Sequence, residues 1–194
     1  MHAMAAKRVS QYLKSTSEFQ IDYRRLPSYL RSDTPSINII GYTDSDWAGN
    51  LTTRKSVRGF VFSLGHTSAN EELIMSGLIH WQAKSQSVVA LSTLVAEYIA
   101  CSHATRESLW LRRMMKEAAG GMAVKMVDGL VPIGCDNLGA IKLITSGVVQ
   151  QKSKHIDIKY HHVNDEQMKG AVKFQYITSE SNPANLRTKP LRVP

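Results

Sequence analysis

The chain has 194 residues, 43% hydrophobic and 21% charged, a balance that fits one globular core with a small appendage and excludes a disordered chain. Its 24 Lys and Arg against 16 acids give a net charge of +8, which points to a polyanionic partner, most simply nucleic acid, with a merely basic soluble protein as the bland alternative. No apolar run approaches about 18 residues and no signal-peptide core is seen, so no membrane partner is expected and the expected location is intracellular, cytoplasmic or nuclear. The two cysteines, Cys101 and Cys135, lack metal-type spacing and read as buried thiols of a reducing compartment.

In chain order, His2 to Lys14 puts Met4, Ala5, Val9, Tyr12 and Leu13 on one helical stripe, with Lys7, Arg8 and Lys14 off it. Phe19 to Tyr23 alternates apolar and polar residues, which predicts a short strand. Arg24 to Pro35, with two prolines among serines and arginines, predicts a linker. Residues 1–35 are therefore set apart from a main domain over 36–194.

Ser36 to Gly49 reads S-I-N-I-I-G-Y-T-D-S-D-W-A-G, a buried strand that delivers Asp44 and Asp46 at its end. A carboxylate at the tip of an apolar strand is costly unless it has a partner or a task. The bland reading is a strand closing in an Asp-rich turn. Gly59 to Leu64 and Leu78 to Gln82 predict two more strands. The segment between them, Gly65 to Gly77, is longer than the 2–5 residues usual for a hairpin loop, so a surface excursion or a small helix around Glu71 to Met75 is expected.

Val88 to Ala119 is the longest helical pattern, with Leu94, Tyr98, Cys101, Thr105 and Leu109 on one stripe. Ser92 or Thr93 would cap its start, and Gly120 with Gly121 would end it. Glu97 lies one turn in, where an acid is ordinarily a solvated boundary residue. Leu130 to Cys135 repeats the form of the opening strand, ending in Asp136 and Asn137, with Pro132 placing it at an edge or at a strand start. Leu138 to Ser146 predicts a short helix, and Ser153 to Lys169 a basic amphipathic one ended by Gly170. Ala171 to Ile177 alternates as a fifth strand, and Pro183 to Lys189 predicts a last helix with Pro183 in its first turn. Three antiparallel strands followed by a βαβ step make a mixed five-stranded sheet flanked by helices.

Asp44, Glu97 and Asp136 then share a logic. If the first and fourth strands are neighbours, the three converge at one sheet edge. Converging carboxylates repel unless cations hold them. Mg²⁺ favours carboxylate oxygens with water and substrate phosphate, and a pair of such ions suits phosphodiester hydrolysis. The bland alternative is three unrelated surface acids. Trp47, Trp81 and Trp110 read as packing aromatics. Lys154 and His155 suit phosphate, though a solvated basic face explains them as well. His161 and His162 lack a partner cluster for zinc.

At this point the chain resembles the ribonuclease H domain of copia-type LTR retrotransposon polyproteins. The resemblance rests on G-Y-T-D-S-D-W-A-G (41–49), V-V-A-L-S (88–92), A-E-Y-I-A (96–100), L-W-L-R-R (109–113), C-D-N (135–137), K-H-I-D-I-K-Y-H (154–161) and T-K-P-L (188–191), in family order. His2 to Tyr23 is similar to the tail of the reverse-transcriptase connection. The resemblance implies a ribonuclease H-like α/β fold and cleavage of the RNA strand of RNA–DNA hybrids by two Mg²⁺ ions, with Mn²⁺ as a substitute. It implies metal-holding catalytic acids at Asp44, Glu97 and Asp136, and nucleic-acid contacts from Ser92, Thr93, Asn137, Lys154 and His155. The expected partners are an RNA–DNA hybrid and the reverse-transcriptase portion of a polyprotein. Asp46 is the weaker candidate, expected to hold the turn or to support the metal-holding acids from behind.

Several positions depart from that pattern. The fourth metal position carries Asn185 in place of the family's Asp, an oxygen donor without charge. Leu138 replaces a Gln, and Val95 replaces the first Glu of the helix motif. Two rivals follow: a catalytically impaired copy that still binds nucleic acid, and a repurposed protein-interaction module using the N-terminal helix or the 65–77 excursion.

Overall fold

The computed structural model describes residues 2–21, 36–68, 70–119, 125–126, 129–146 and 161–189. The elements in order are α1 (His2–Ser15), β1 (Ser36–Ser45), β2 (Val57–Thr67), β3 (Leu73–Ser85), α2 (Thr93–Ala119), β4 (Lys125–Met126), β5 (Val131–Cys135), α3 (Leu138–Ser146), α4 (His162–Met168), β6 (Val172–Tyr176) and α5 (Asn185–Thr188). The five main strands lie in the order β3-β2-β1-β5-β6, and the two-residue β4 pairs with β1 off that path. β1, β2 and β3 are antiparallel, while β5 runs parallel to both β1 and β6, so the expected mixed sheet is present. Among the described residues no helix is long and apolar enough to cross a membrane.

Strand alternation divides the apolar residues between two faces. Ile39, Phe60, Phe62, Val131, Ile133 and Val172 pack under the helices with Tyr98, Ile99, Leu111 and Ile144. Ile40, Tyr42 and Val61 point the other way, where Ala184, Leu73, Met75 and Ile177 cover them. The helix of 27 residues has a buried side wider than the expected stripe, because Val95, Ala96, Ile99 and Ala104 join Tyr98 and Cys101 beneath it. Val95 is therefore a core residue. Trp47, Trp81 and Trp110 are not: they are 51%, 45% and 51% exposed, against the expectation of packing aromatics. Each is instead held at one side. The Trp47 Nε1–H donates to the Ala90 carbonyl at 3.1 Å, Arg187 lies 5.7 Å above the Trp81 ring, and Trp110 sits 6.0 Å from the His80 ring.

The 65–77 excursion is neither a loop nor a helix. β2 and β3 simply continue, pairing Gly65 with Met75, His66 with Ile74 and Thr67 with Leu73. Two register irregularities, at Phe62/Ser63 and Leu64/Gly65, bend the arm, as bulges do. Ser68 closes its tip by accepting the Glu72 amide on its hydroxyl at 3.0 Å, with Glu71 at φ +63°. The length that had suggested an excursion is taken up by continued strand pairing, which satisfies the backbone hydrogen-bonding groups. Phe19 to Ile21 is not strand. The predicted linker and the 153–160 part of the predicted basic helix, with Lys154 and His155, lie outside the described residues.

Other boundaries shift by a few residues. Val88 to Leu91 precede α2, and Ser92 is its cap, accepting the Val95 amide at 3.3 Å. Pro132 sits near the start of β5, which is an interior strand. Pro183 falls in the turn before α5 rather than within its first turn. Gly170, at φ +68°, terminates the α4 region as expected of a left-handed C-terminal position.

Candidate active site at the sheet edge

β1 and β5 end side by side, and α2 begins against them. That brings Asp44, Glu97 and Asp136 to one end of the sheet. Asp44 and Glu97 are only 1% and 3% exposed, while Asp136 is half-buried. Glu97 is fixed by the Ser45 amide, which donates to its Oε1 at 3.2 Å. Its Oε2 is buried with no hydrogen-bond partner. One carboxylate oxygen of Glu97, one of Asp136 and the Cys135 Sγ all lie within 4.8 Å of one another.

Burial, then the neighbouring Cys135, Asp44 and Asp136, push Glu97 from 4.5 up to about 10. Burial also raises Asp44, with Asp136 adding to it, while the Thr188 hydroxyl and Lys189 pull it back. The three acids are therefore close enough to feel one another's charge.

Asp44 nevertheless stands outside the 4.8 Å cluster. It follows Ile40 and Tyr42 in alternation and so lies on the face that α5 covers. There the Thr188 hydroxyl donates to its Oδ2, and the Lys189 ammonium lies 3.7 Å from its Oδ1. The approach of α5 depends on Gly59, which pairs with Asp44 across the ladder. A Cβ at Gly59 would meet Arg187 Cβ at 2.7 Å and Thr188 Cγ2 at 2.9 Å. Asn182, buried in the preceding turn, anchors the same segment by donating to the Thr43 carbonyl at 3.0 Å.

Asn185 does not reach the carboxylates directly. Its amide donates to Ser179, and its Oδ1 accepts from Lys189 Nζ at 2.6 Å. Lys189 thus stands between Asn185 and Asp44. A neutral amide has no charge to compete with for that lysine, so the oxygen expected in a metal shell is occupied by a cation of the chain itself.

The remaining predicted residues take local roles. Asp46 holds the turn by accepting the Val57 amide on Oδ1. Asn137 caps α3, its Oδ1 accepting the Ala140 amide at 3.0 Å. Leu138 is exposed beside it. Thr93 opens α2 next to the Ser92 cap. Sequence reasoning missed Gln86, Thr188, Lys189 and Cys135 as parts of this end. Gln86 is fully buried and donates to Ser45 Oγ at 3.1 Å and to the Ala96 carbonyl at 2.9 Å, tying the β3–α2 loop to both site-bearing elements. The only early signal for Thr188 and Lys189 was their place in the T-K-P-L motif.

No family model matches the chain. The Retrovirus-related Pol polyprotein from transposon TNT 1-94 of Nicotiana tabacum is 32% identical over 188 residues, 97% of this chain and 12% of the polyprotein. Its counterpart from transposon RE1 of Arabidopsis thaliana is 28% identical over 190 residues, 98% of this chain and 11% of that one. Secreted RxLR effector protein 161 of Plasmopara viticola is 34% identical over 119 residues, 61% of this chain and 71% of that protein. Among solved structures, LC11-RNase H1 isolated from compost matches with a TM-score of 0.50 at 19% identity, covering 78% of this chain and 92% of that one. That likeness speaks to the fold. The chain spans about an eighth of the length of the polyproteins it matches. Ordered motifs over almost its whole length make the chain a member of the copia-type retrotransposon Pol polyprotein family, and its sheet topology is that of the ribonuclease H fold.

Proposed function

We propose that the domain is a metal-dependent endonuclease for the RNA strand of RNA–DNA hybrids, acting through Asp44, Glu97 and Asp136. The observation that carries this reading is the buried Glu97 carboxylate with its unpartnered Oε2 beside Asp136. An orphaned buried oxygen among acids is costly, and a hard divalent cation removes the cost. The residues therefore fit Mg²⁺ or Mn²⁺: Glu97 and Asp136 would hold it, with Asp44 beside them. When bound, such ions supply the activation of water and the stabilisation of the leaving oxygen in phosphodiester cleavage. The chain itself positions the acids. Ser45 fixes Glu97 from the β1 end, Gln86 locks the loop behind it, and Thr188 orients Asp44.

The net charge of +8 supports a polyanionic substrate. Affinity should fall steeply with salt as counterions are released, and should favour A-form-like duplexes over plain DNA. The reverse-transcriptase portion of a polyprotein is the natural tethered partner. The test is incubation of the purified chain with labelled RNA–DNA hybrid in Mg²⁺, in Mn²⁺ and in EDTA. Cleavage confined to the metal-containing reactions is expected, and intact hybrid in all three overturns the reading.

Asn185 and Lys189 favour one second reading, an impaired copy that binds hybrid without cutting it. The lysine places a charge of the chain beside Asp44 and Asn185 withholds one. Salt-sensitive hybrid binding without cleavage is the result that would select it.

A further inference from the structure

Beneath the acids the only two cysteines of the chain meet. Cys101 lies one turn after Glu97 on the same face of α2, since residues four apart on a helix are neighbours. Cys135 is the last residue of β5, immediately before Asp136. Both thiols are free and fully buried, with their sulfurs 3.9 Å apart. The Cys135 Sγ belongs to the same 4.8 Å cluster as Glu97 and Asp136. The Cys101 Sγ stands outside that cluster and adjoins it through Cys135.

We propose that Glu97, Cys135 and Asp136 form a binding site for a thiophilic divalent cation of the Zn²⁺ class, which Cys101 completes as fourth donor by a shift of its side chain, distinct from a Mg²⁺ site made of oxygens alone. The donor set is two sulfurs and two carboxylates, the composition that four-coordinate zinc accepts and Mg²⁺ does not. The spacing fits as well. With Zn–S near about 2.3 Å, two thiolates on one tetrahedral ion sit about 3.8 Å apart. The observed 3.9 Å matches that sulfur pair, while the Cys101 Sγ must still close on the carboxylates. Glu97 supplies the sign of a missing ligand, the same one on which the proposed function rests: it is 3% exposed, the Ser45 amide already orients it, and its Oε2 has no partner. Asp136 is half-buried, the one donor of the four that water reaches appreciably.

An ion held here would occupy Glu97 and Asp136, so the site sets thiophilic ions against hard ones for the same two carboxylates. Its existence is independent of whether those acids cleave anything, because the readout below is optical.

The experiment titrates Co²⁺, which shares the ligand preferences of Zn²⁺ and absorbs, into the full chain kept reduced with a phosphine. A near-ultraviolet sulfur-to-cobalt charge-transfer band should grow to one ion per chain and vanish when Zn²⁺ is added. No other cysteine can produce it. Cys135→Ala and Cys101→Ala should each weaken Co²⁺ binding roughly a hundredfold or more, and Glu97→Gln about tenfold, in line with the loss of metal-shell groups. Far-UV circular dichroism checks that each variant is folded, and Cys135→Ser replaces Cys135→Ala if the alanine variant is not. No band in the wild-type chain overturns the proposal, as does a band that survives loss of Cys135 in a folded variant.

Discussion

The two halves of the acidic edge solve the same problem differently. Asp44, on the α5 side, is almost fully buried, yet the chain gives it a hydroxyl donor from Thr188 and a cation from Lys189. Glu97, on the α2 side, is buried to the same degree and receives one backbone donor, leaving Oε2 with nothing. Burying an unpartnered carboxylate costs more than burying a satisfied one. Under the proposed function, a cation would meet an unanswered oxygen on the Glu97 side and would compete with groups of the chain on the Asp44 side.

The largest effect should come from breaking the Glu97 half. Asp136→Asn keeps shape and removes the charge beside Glu97, and should lower hybrid cleavage by roughly a hundredfold or more with the fold intact. Comparable cleavage rates for variant and wild type would remove Asp136 from the proposed chemistry.

Next comes the support of the satisfied half. Gly59→Ala places a methyl against Arg187 and Thr188, so α5 must move and Asp44 loses its hydroxyl. Overpacking of this kind costs about 1–3 kcal/mol. A denaturant midpoint equal to wild type would mean that α5 does not depend on this close approach.

The pH dependence separates the halves in the metal-free protein. Burial, followed by Cys135, Asp44 and Asp136, raises Glu97 from 4.5 to about 10, and Asp44 is raised too. In the folded chain Glu97 holds its proton across that window, while the unfolded chain releases it. The unfolded state then binds fewer protons, so stability is fully present below pH 4.5 and is lost as the pH rises toward about 10. One such group gives a slope of at most about 1.4 kcal/mol per pH unit. Unfolding midpoints measured from pH 5 to 9 in EDTA should fall with pH. Glu97→Gln should flatten that fall, and a wild-type slope retained in the variant would assign it to other groups.

How much of this was legible in the sequence follows from the range of each interaction. Strands whose alternation is local, and the cap at Ser92, could be read because their partners lie a few residues away. Asp44, Glu97 and Asp136 could be placed together because each ends or begins an element, and the βαβ step makes those ends neighbours. The division of the site into halves could not. It depends on Thr188 reaching Asp44 across 144 residues and on Gly59 letting a helix approach, and neither leaves a local pattern. The long β2–β3 arm was obscured because the segment between the two read strands is longer than a usual hairpin loop, although backbone pairing extends both strands into it. The three tryptophans misled because size suggested burial, whereas each is satisfied by one-sided contacts at the surface.

The smallest effect tests whether Lys189 acts as a resident competitor. Its ammonium lies 3.7 Å from Asp44 Oδ1 and 2.6 Å from Asn185 Oδ1, and its side chain is 49% exposed. A half-exposed pair of this kind is worth about 1 kcal/mol at most, because water screens the outer partner. Lys189→Met keeps the stem and removes the charge. Mg²⁺ should then bind about fivefold more tightly, the factor that about 1 kcal/mol corresponds to, while hybrid affinity in EDTA changes little beyond the loss of one positive charge. Calorimetric titration of Mg²⁺ into both proteins without nucleic acid reads this directly. Tighter binding makes Lys189 the reason Asp44 contributes weakly to the metal shell. Identical isotherms would mean that the ammonium swings away at no cost, and that the loss of charge at Asn185 alone sets the affinity of that half.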